Sequence, residues 1–166
     1  LVALAQREQV DYAVVAPDDP LVLGAVDALT AAGIPCFGPN RAAAIIEGSK
    51  VFSKHLMKKY GIPTAAYETF DDMDAALAYL DTAPVPVGSM MRDGRGGESG
   101  RHVVTEEFLP APELSVLSFT DGETLVPMVS SMDHKRALDG DEGLNTGGMG
   151  TIAPNPFYTD EIAAEC

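Results

Sequence analysis

Asp133-His134-Lys135-Arg136-Ala137-Leu138-Asp139-Gly140-Asp141-Glu142-Gly143-Leu144-Asn145-Thr146-Gly147-Gly148-Met149-Gly150 joins three basic side chains in a row to a polar, glycine-rich run nine residues further on. Glycine reaches positive φ and lets the backbone approach a ligand closely. Successive amides in such a run can converge on one anion. His134, Lys135 and Arg136 would supply charge to the same anion, with Arg136 able to grip it bidentately. On this chemistry alone two readings stay open: a loop that holds a phosphorylated or carboxylate substrate, and an ordinary solvated loop between strands.

The background against which these cations stand is acidic. The chain has 166 residues, 46% of them hydrophobic, and a net charge of −14. That is enough apolar material to fill one domain or two small ones. The charge argues against sequence-independent binding to nucleic acid or to anionic membranes, both of which need a basic face. Any anion site must therefore be locally basic. No apolar run is long enough to span a bilayer, and Leu1–Ala5 lacks the basic region and cleavage site of a signal peptide. The chain opens on Leu1 and reads as a fragment entered within a helix. Cys36 and Cys166 show no metal spacing and read as free thiols in a reducing cytoplasm.

Outward from the Asp133 stretch, the N-terminal side reads as β-α-β. Val10–Ala16 is a nearly continuous apolar run, the pattern of a buried parallel strand. Pro17-Asp18-Asp19-Pro20 breaks it, with Asp19 placed to cap the next helix. Leu21, Val22, Ala25, Val26 and Leu29 recur at helical spacing as far as Gly33, and Ile34–Gly38 is a second strand. A right-handed parallel crossover follows, and ligands in such sheets sit at the carboxyl ends of strands, where Pro17–Pro20 lies. Gly38-Pro39-Asn40 opens a short helix containing Ala42–Ile46. Ser49 is an N-cap for a helix that runs from Lys50 to the stop at Gly61. Taken alone, Lys50 reads as a surface lysine. His55, Lys58 and Lys59 read as a solvated face.

Ala65–Thr69 is the next strand, and Asp71 or Asp72 caps a helix with Met73, Ala76, Leu77 and Leu80 on one face. Val85-Pro86-Val87 begins a strand that Gly88-Ser89-Met90 interrupts. Arg95–Gly100 reads as a loop and lacks the Lys-Ser/Thr of a Walker phosphate cradle. His102–Phe108 is a strand. Leu114–Phe119 and Thr124–Met132 flank Asp121-Gly122, the strongest short hairpin signal, and deliver the chain to the Asp133 stretch at a sheet end. Thr151–Tyr158, with Pro154 and Pro156, is an extended connector, and Thr159 opens a last helix. The expected fold class is α/β (α+β), with a parallel sheet within residues 1–45 and a mostly antiparallel sheet from about 103 to 153.

Ser131-Met132-Asp133-His134-Lys135-Arg136 followed by Asn145-Thr146-Gly147-Gly148-Met149-Gly150 resembles the signature of the phosphoribosylamine–glycine ligases (glycinamide ribonucleotide synthetases) of the ATP-grasp superfamily. The resemblance covers nearly the whole chain in the family's order. It implies that residues 1–45 are the C-terminal part of a pre-ATP-grasp α/β domain and that 46–166 are an incomplete ATP-grasp domain. It implies ATP-dependent joining of glycine to 5-phosphoribosylamine through an acyl phosphate, with Mg²⁺ or Mn²⁺ bridging the nucleotide phosphates. Lys135 and Arg136 would be catalytic and hold the anionic substrate. Asp133, Asn145, Thr146, Gly147, Gly148 and Gly150 would bind substrate. So would Asp18 and Pro20, since Ala16-Pro17-Asp18-Asp19-Pro20-Leu21 stands where the family has Gly-Pro-Glu-x-Pro-Leu. The shorter Asp18 keeps the carboxylate. Lys50 would contact nucleotide phosphate. Glu106-Glu107-Phe108-Leu109 resembles the hinge whose backbone reads adenine, which implicates Glu106, Glu107 and Leu109, and Glu113 would meet the ribose. The implied protein is a cytoplasmic monomer acting on small molecules, without nucleic acid or membrane.

The chain also departs from the family. Ala111 stands where the family has glycine. After Val87 the family continues into a lysine and a segment of the Lys-Ala-Asp-Gly-Leu-Ala-x-Gly-Lys-Gly kind, whereas Met90–Arg95 resembles what lies tens of residues later. The implication is a segment missing at 87–90, through a deletion, an engineered Gly-Ser join or omitted residues, with a spatial gap or disorder expected there. The family's Gly-Gly-Arg-Glu phosphate loop would precede Leu1, and its metal carboxylate and asparagine would follow Cys166, so the metal ligands are unknown. Two other readings remain: a truncated or non-catalytic relative that binds a nucleotide or sugar phosphate, and another ATP-grasp carboxylate–amine ligase.

Overall fold

The computed structural model describes residues 1–84, 86–92, 102–109, 111 and 113–166. The chain divides into two compact units, Leu1–Leu109 and Pro110–Cys166.

The first unit opens with α1 (Val2–Arg7), β1 (Ala13–Val14), α2 (Asp18–Val22), α3 (Ala25–Ala31) and β2 (Cys36–Phe37). β1 and β2 pair in parallel, Ala13 opposite Cys36 and Val14 opposite Phe37. The expected β-α-β unit is present, with strands far shorter than Val10–Ala16 suggested. Val15 is buried, but Val14 is 68% exposed, so the strand is not covered on both sides by the described residues. Leu21, Val26, Leu29 and Ile34 close the core with Ala5, Val15 and Ala44. The single helix expected after Pro20 is two helices, because Gly24 turns at φ +85 between them, a conformation that costs glycine least. Asp19 does not cap: the N-cap of α2 is Pro17, and Asp18 and Asp19 lie in the first turn, where carboxylates complement the helix dipole. Gly38, at φ +143, passes so close to the core that a Cβ would stand 3.0 Å from the Val15 carbonyl and 3.2 Å from Leu21 and Val26.

Two capped helices follow. In α4 (Arg41–Gly48) the Asn40 side chain accepts from the Ala43 amide, and in α5 (Lys50–Tyr60) Ser49 accepts from the Phe52 amide. Gly61 ends α5 at φ +66. The second sheet holds β3 (Tyr67–Phe70), β4 (Val87–Arg92) and β5 (Val103–Glu107) in the order β3-β5-β4, both pairings antiparallel. Between β3 and β4 runs α6 (Met73–Leu80), capped by Asp72, with the Phe70 and Tyr79 rings 5.3 Å apart. Val103, Val104 and Thr105 of the central strand are almost wholly buried.

The gap expected at Gly88-Ser89 is not there. β4 runs through those residues to Arg92, with a register shift against β5 between Val87 and Ser89. A bulge absorbs one residue without ending the ladder, and Met90-Met91-Arg92 supply the continuation that Val87 lacked. Val85 and Arg95–Gly100 lie outside the described residues.

In the second unit β6 (Ser118–Thr120) and β7 (Leu125–Pro127) form the expected hairpin. Its loop has four residues, and within it the Asp121 carboxylate accepts from the amides of Glu123 and Thr124. Those bonds hold the Asp121 carboxyl below its usual range. A bridge between Ser115 and Ser131 extends the pair. β8 (Met132–Asp133) pairs with β11 (Thr151–Ile152), and β9 (Arg136–Leu138) with β10 (Glu142–Asn145). The antiparallel sheet expected over 103–153 is thus three separate two-stranded ladders, and β5 belongs to the first unit. Positive φ at Gly140, Asp141 and Gly143 bends β9 into β10 tightly and leaves the pair isolated. Asn155, buried, fastens the connector: its amide donates to the Ser130 carbonyl and its side chain donates to the Ser131 carbonyl. Thr159 caps α7 (Asp160–Glu165). Among the described residues, no helix is long and apolar enough to cross a membrane.

Candidate functional site

Because Ser49 caps α5, Lys50 and Lys54 fall four residues apart on one helix face. That face meets the end of β5. Lys50 Nζ lies 3.0 Å from Glu106 Oε2, and Lys54 Nζ lies 2.6 Å from Glu106 Oε1. The Lys54 ammonium also donates to Thr64 Oγ1 at 2.7 Å and stands 5.5 Å from the centre of the Tyr67 ring. Burial on its own would raise the Glu106 carboxyl, but the hydrogen bonds and charges of Lys54 and Lys50 outweigh it and hold the group below its ordinary value. Lys50 and Glu106, singled out separately in the sequence, are therefore one ion-paired group. Lys54 was missed. Its spacing from Lys50 was the available signal, and the sequence reading did not use it.

Beyond Glu106 the strand is held at its edges. The Glu107 amide donates to the Ala66 carbonyl at 2.8 Å, and the Phe108 amide to the Pro86 carbonyl at 2.9 Å. Glu107 Oε2 accepts from the Ala66 amide. Phe108 and Leu109 then emerge, 54% and 60% exposed. Asp18, the first residue of α2, is exposed, and Pro20 is half-buried.

In the second unit Lys135 Nζ sits 2.8 Å from Asp133 Oδ2 and 3.5 Å from Glu113 Oε2. The hydrogen bond from Lys135 pulls the Asp133 carboxyl down, and the same bond, helped by the Glu113 charge, pushes Lys135 up. Residues 146–150 fold back on this cluster. The Thr146 amide and hydroxyl both donate to the Lys135 carbonyl, the Met149 amide donates to the His134 carbonyl, and the His134 amide donates to the Gly150 carbonyl. Gly148 stands at φ +117, which favours glycine, and a Cβ there would approach Asp133 Oδ2 to 3.0 Å, so that the carboxylate would have to give way. Asn145 and Gly147 are exposed. The expected open loop is therefore partly the β9–β10 hairpin. Arg136, expected to grip an anion, donates from Nη1 to the Gly143 carbonyl at 2.8 Å and so braces its own hairpin. Among the described residues no group of three or more His, Cys, Asp or Glu side chains is arranged to hold a metal ion. Asp133 and Glu113 are both turned to Lys135, so the donors present do not fit a divalent cation.

A small parallel α/β unit is followed by a capped helix whose lysines meet the end of an antiparallel sheet. A solved D-alanine–D-alanine ligase from Bacillus anthracis matches this arrangement with a TM-score of 0.57 over 92% of this chain and 57% of that one. At 19% identity that likeness is one of fold alone. The sequence narrows it. The phosphoribosylglycinamide synthetase N-domain model matches residues 1–47, and the ATP-grasp (A) domain model of the same family matches 48–88 and 81–166. The chain belongs to the phosphoribosylglycinamide synthetase family. A phosphoribosylamine–glycine ligase from Allochromatium vinosum is 44% identical over 98% of this chain, and one from Yersinia pestis is 40% identical over the same share. The crystal structure of the Thermotoga maritima enzyme of that name is 33% identical, with a TM-score of 0.59 over 70% of this chain and 36% of that one. The chain spans 44% of the length of the two sequence relatives. The Allochromatium alignment runs over 188 positions, but 98% of 166 residues is about 163, so about 25 positions have no counterpart here.

Proposed function

We propose that this chain is the nucleotide- and substrate-binding portion of a phosphoribosylamine–glycine ligase, which joins glycine to 5-phosphoribosylamine with ATP to give glycinamide ribonucleotide, ADP and phosphate. The observation that carries the reading is continuity: identity of 44% runs through 98% of the chain to a relative of that name. In this reading Lys50 meets the nucleotide phosphates, Glu106, Glu107 and Leu109 form the adenine hinge, and Glu113 takes the ribose. Asp18, Pro20, Asp133 and residues 145–148 and 150 hold the substrate, with Lys135 and Arg136 offsetting the charge of its anionic groups. A substrate anion would replace Asp133 as the partner of Lys135 and Gly143 as the partner of Arg136. Among the described residues no group of side chains makes a metal site, and the divalent ion, Mg²⁺ or Mn²⁺, would be held by residues outside that set. The domain boundary falls near residues 45–46, and the missing positions fall at Gly88-Ser89. The protein acts as a cytoplasmic monomer on small molecules, and its net charge of −14 weighs against nucleic acid and membrane partners.

The test is ADP release by the full-length protein. Release that requires both glycine and 5-phosphoribosylamine is expected, and release with another acid in place of glycine would point to a different carboxylate–amine ligase. One observation favours a second reading, a non-catalytic binding relative: about 25 family positions are missing. ATP binding without ADP release under any pair of substrates would establish it.

A further inference from the structure

Lys54 plays no part in the function proposed above, yet it is the most enclosed cation described. Its side chain is 8% exposed, against 49% for Lys50. An ammonium taken out of water must be matched by partners where it lies. Lys54 finds Thr64 Oγ1 at 2.7 Å, Glu106 Oε1 at 2.6 Å and the Tyr67 ring at 5.5 Å. Tyr67 closes the circuit, since its hydroxyl donates to the Lys54 carbonyl at 3.0 Å and its backbone stands opposite Glu106 in the β3–β5 ladder. Helix α5 and strands β3 and β5 are thereby locked at one point, a single residue before the Glu107 and Phe108 amides make their last sheet bonds.

The two lysines on Glu106 are not equivalent. Lys50 can leave: a half-exposed ion pair contributes little, and water takes back its charge. Lys54 cannot leave without stranding a charge in the interior. We propose that Lys54 is the positioning residue of the nucleotide hinge: it fixes Glu106, and through it the Glu106–Leu109 segment, while Lys50 stays free to exchange Glu106 for a nucleotide phosphate. This rests on the reading that Glu106–Leu109 is the hinge. A recognition element made of backbone groups tolerates only fractions of an ångström of displacement, so the anchor next to it governs which base it accepts.

The test uses the full-length protein and its Lys54→Met, Lys54→Arg and Glu106→Gln variants, with ATP and GTP binding measured by calorimetry and KM for each substrate by steady-state assay. Lys54→Met should weaken ATP binding about tenfold, on the scale of one hydrogen bond to a charged group. It should narrow the ATP-over-GTP preference by a similar factor and leave KM for glycine unchanged. Lys54→Arg, which keeps the charge, should restore most of the preference. A merely structural lysine would lower the folded fraction alike for every ligand and leave the preference where it was. Should Lys54→Met fail to fold, Glu106→Gln carries the same expectation, since it removes the charge and keeps the shape. ATP bound by the wild type, with unchanged affinity and preference in these variants, overturns the role of Lys54 and leaves the hinge reading standing. A wild type that binds no ATP overturns the hinge reading, and this inference with it.

Discussion

Lys54 in the first unit and Lys135 in the second each stand between two oxygen partners, and the two clusters could hardly differ more in consequence. Lys54 is 8% exposed and reaches Glu106 at 2.6 Å and Thr64 at 2.7 Å. Lys135 is 38% exposed and reaches Asp133 at 2.8 Å and Glu113 at 3.5 Å. Water can replace any partner of Lys135, so its contacts select an arrangement without enforcing it. Around Lys54 there is little water to do so, and its contacts become obligatory. The same chemistry thus serves as a fixture in one place and as an exchangeable set of contacts, open to a ligand, in the other.

The sharpest way to break this contrast is Lys54→Met. Removing one partner of an enclosed pair should cost about 3 kcal/mol of stability, read as faster hydrogen exchange at the β5 amides. Exchange at the wild-type rate would mean that Lys54 is effectively solvated. Arg136→Ala should do the reverse. Its bond to the Gly143 carbonyl is exposed, so stability should hardly move, while use of 5-phosphoribosylamine falls roughly ten- to a hundredfold with the loss of about 1.5–3 kcal/mol of charged hydrogen bonding. Unchanged kinetic constants for that substrate would leave Arg136 as a hairpin brace alone.

Acid should find the first unit next. Glu106 is held below its ordinary value of 4.5, so its contribution to stability is complete above that value and is lost as pH falls through the lowered one. Unfolding midpoints measured downward from pH 5 should drop in the wild type and drop less in Glu106→Gln; parallel curves would count against the pairing. The smallest effect should come from Lys135→Ala, which should leave the unfolding midpoint within measurement scatter at both low and high salt. A clear loss would show the second cluster to be as structural as the first.

What the sequence disclosed follows the reach of each interaction. Ser49 and Asp72 were read as caps, Asp72 with Asp71 as the alternative, and Thr159 as a helix start; each accepts an amide of its own helix, an interaction settled within four residues. The Asp121 hairpin was equally visible, since the amides its carboxylate accepts, those of Glu123 and Thr124, lie within three residues of it. Gly24 was hidden by the apolar spacing on either side of it, which is helical whether or not the helix is continuous. Lys50 and Glu106 were chosen for separate reasons, and nothing in their spacing said that they meet. Lys54 stood at helical spacing from Lys50, but its burial is decided by Glu106 and Tyr67, which lie far away along the chain. Arg136 drew attention by its charge, and its partner, a backbone carbonyl at Gly143, carries no sequence signal at all.

The β3-β5-β4 order sets a timetable. β3 and β4 are neighbours in sequence around α6 but never touch as strands; each waits for β5, the last of the three to leave the ribosome. Until residue 107 has emerged, two strands carry open edges with nothing to pair to, the state in which nascent chains are most prone to stick to one another. When β5 arrives, it enters between them, burying Val103, Val104 and Thr105 in one step and bringing Glu106 against the lysines of a helix made long before. The β3-β5-β4 sheet therefore forms late, at a rate governed by that non-local insertion.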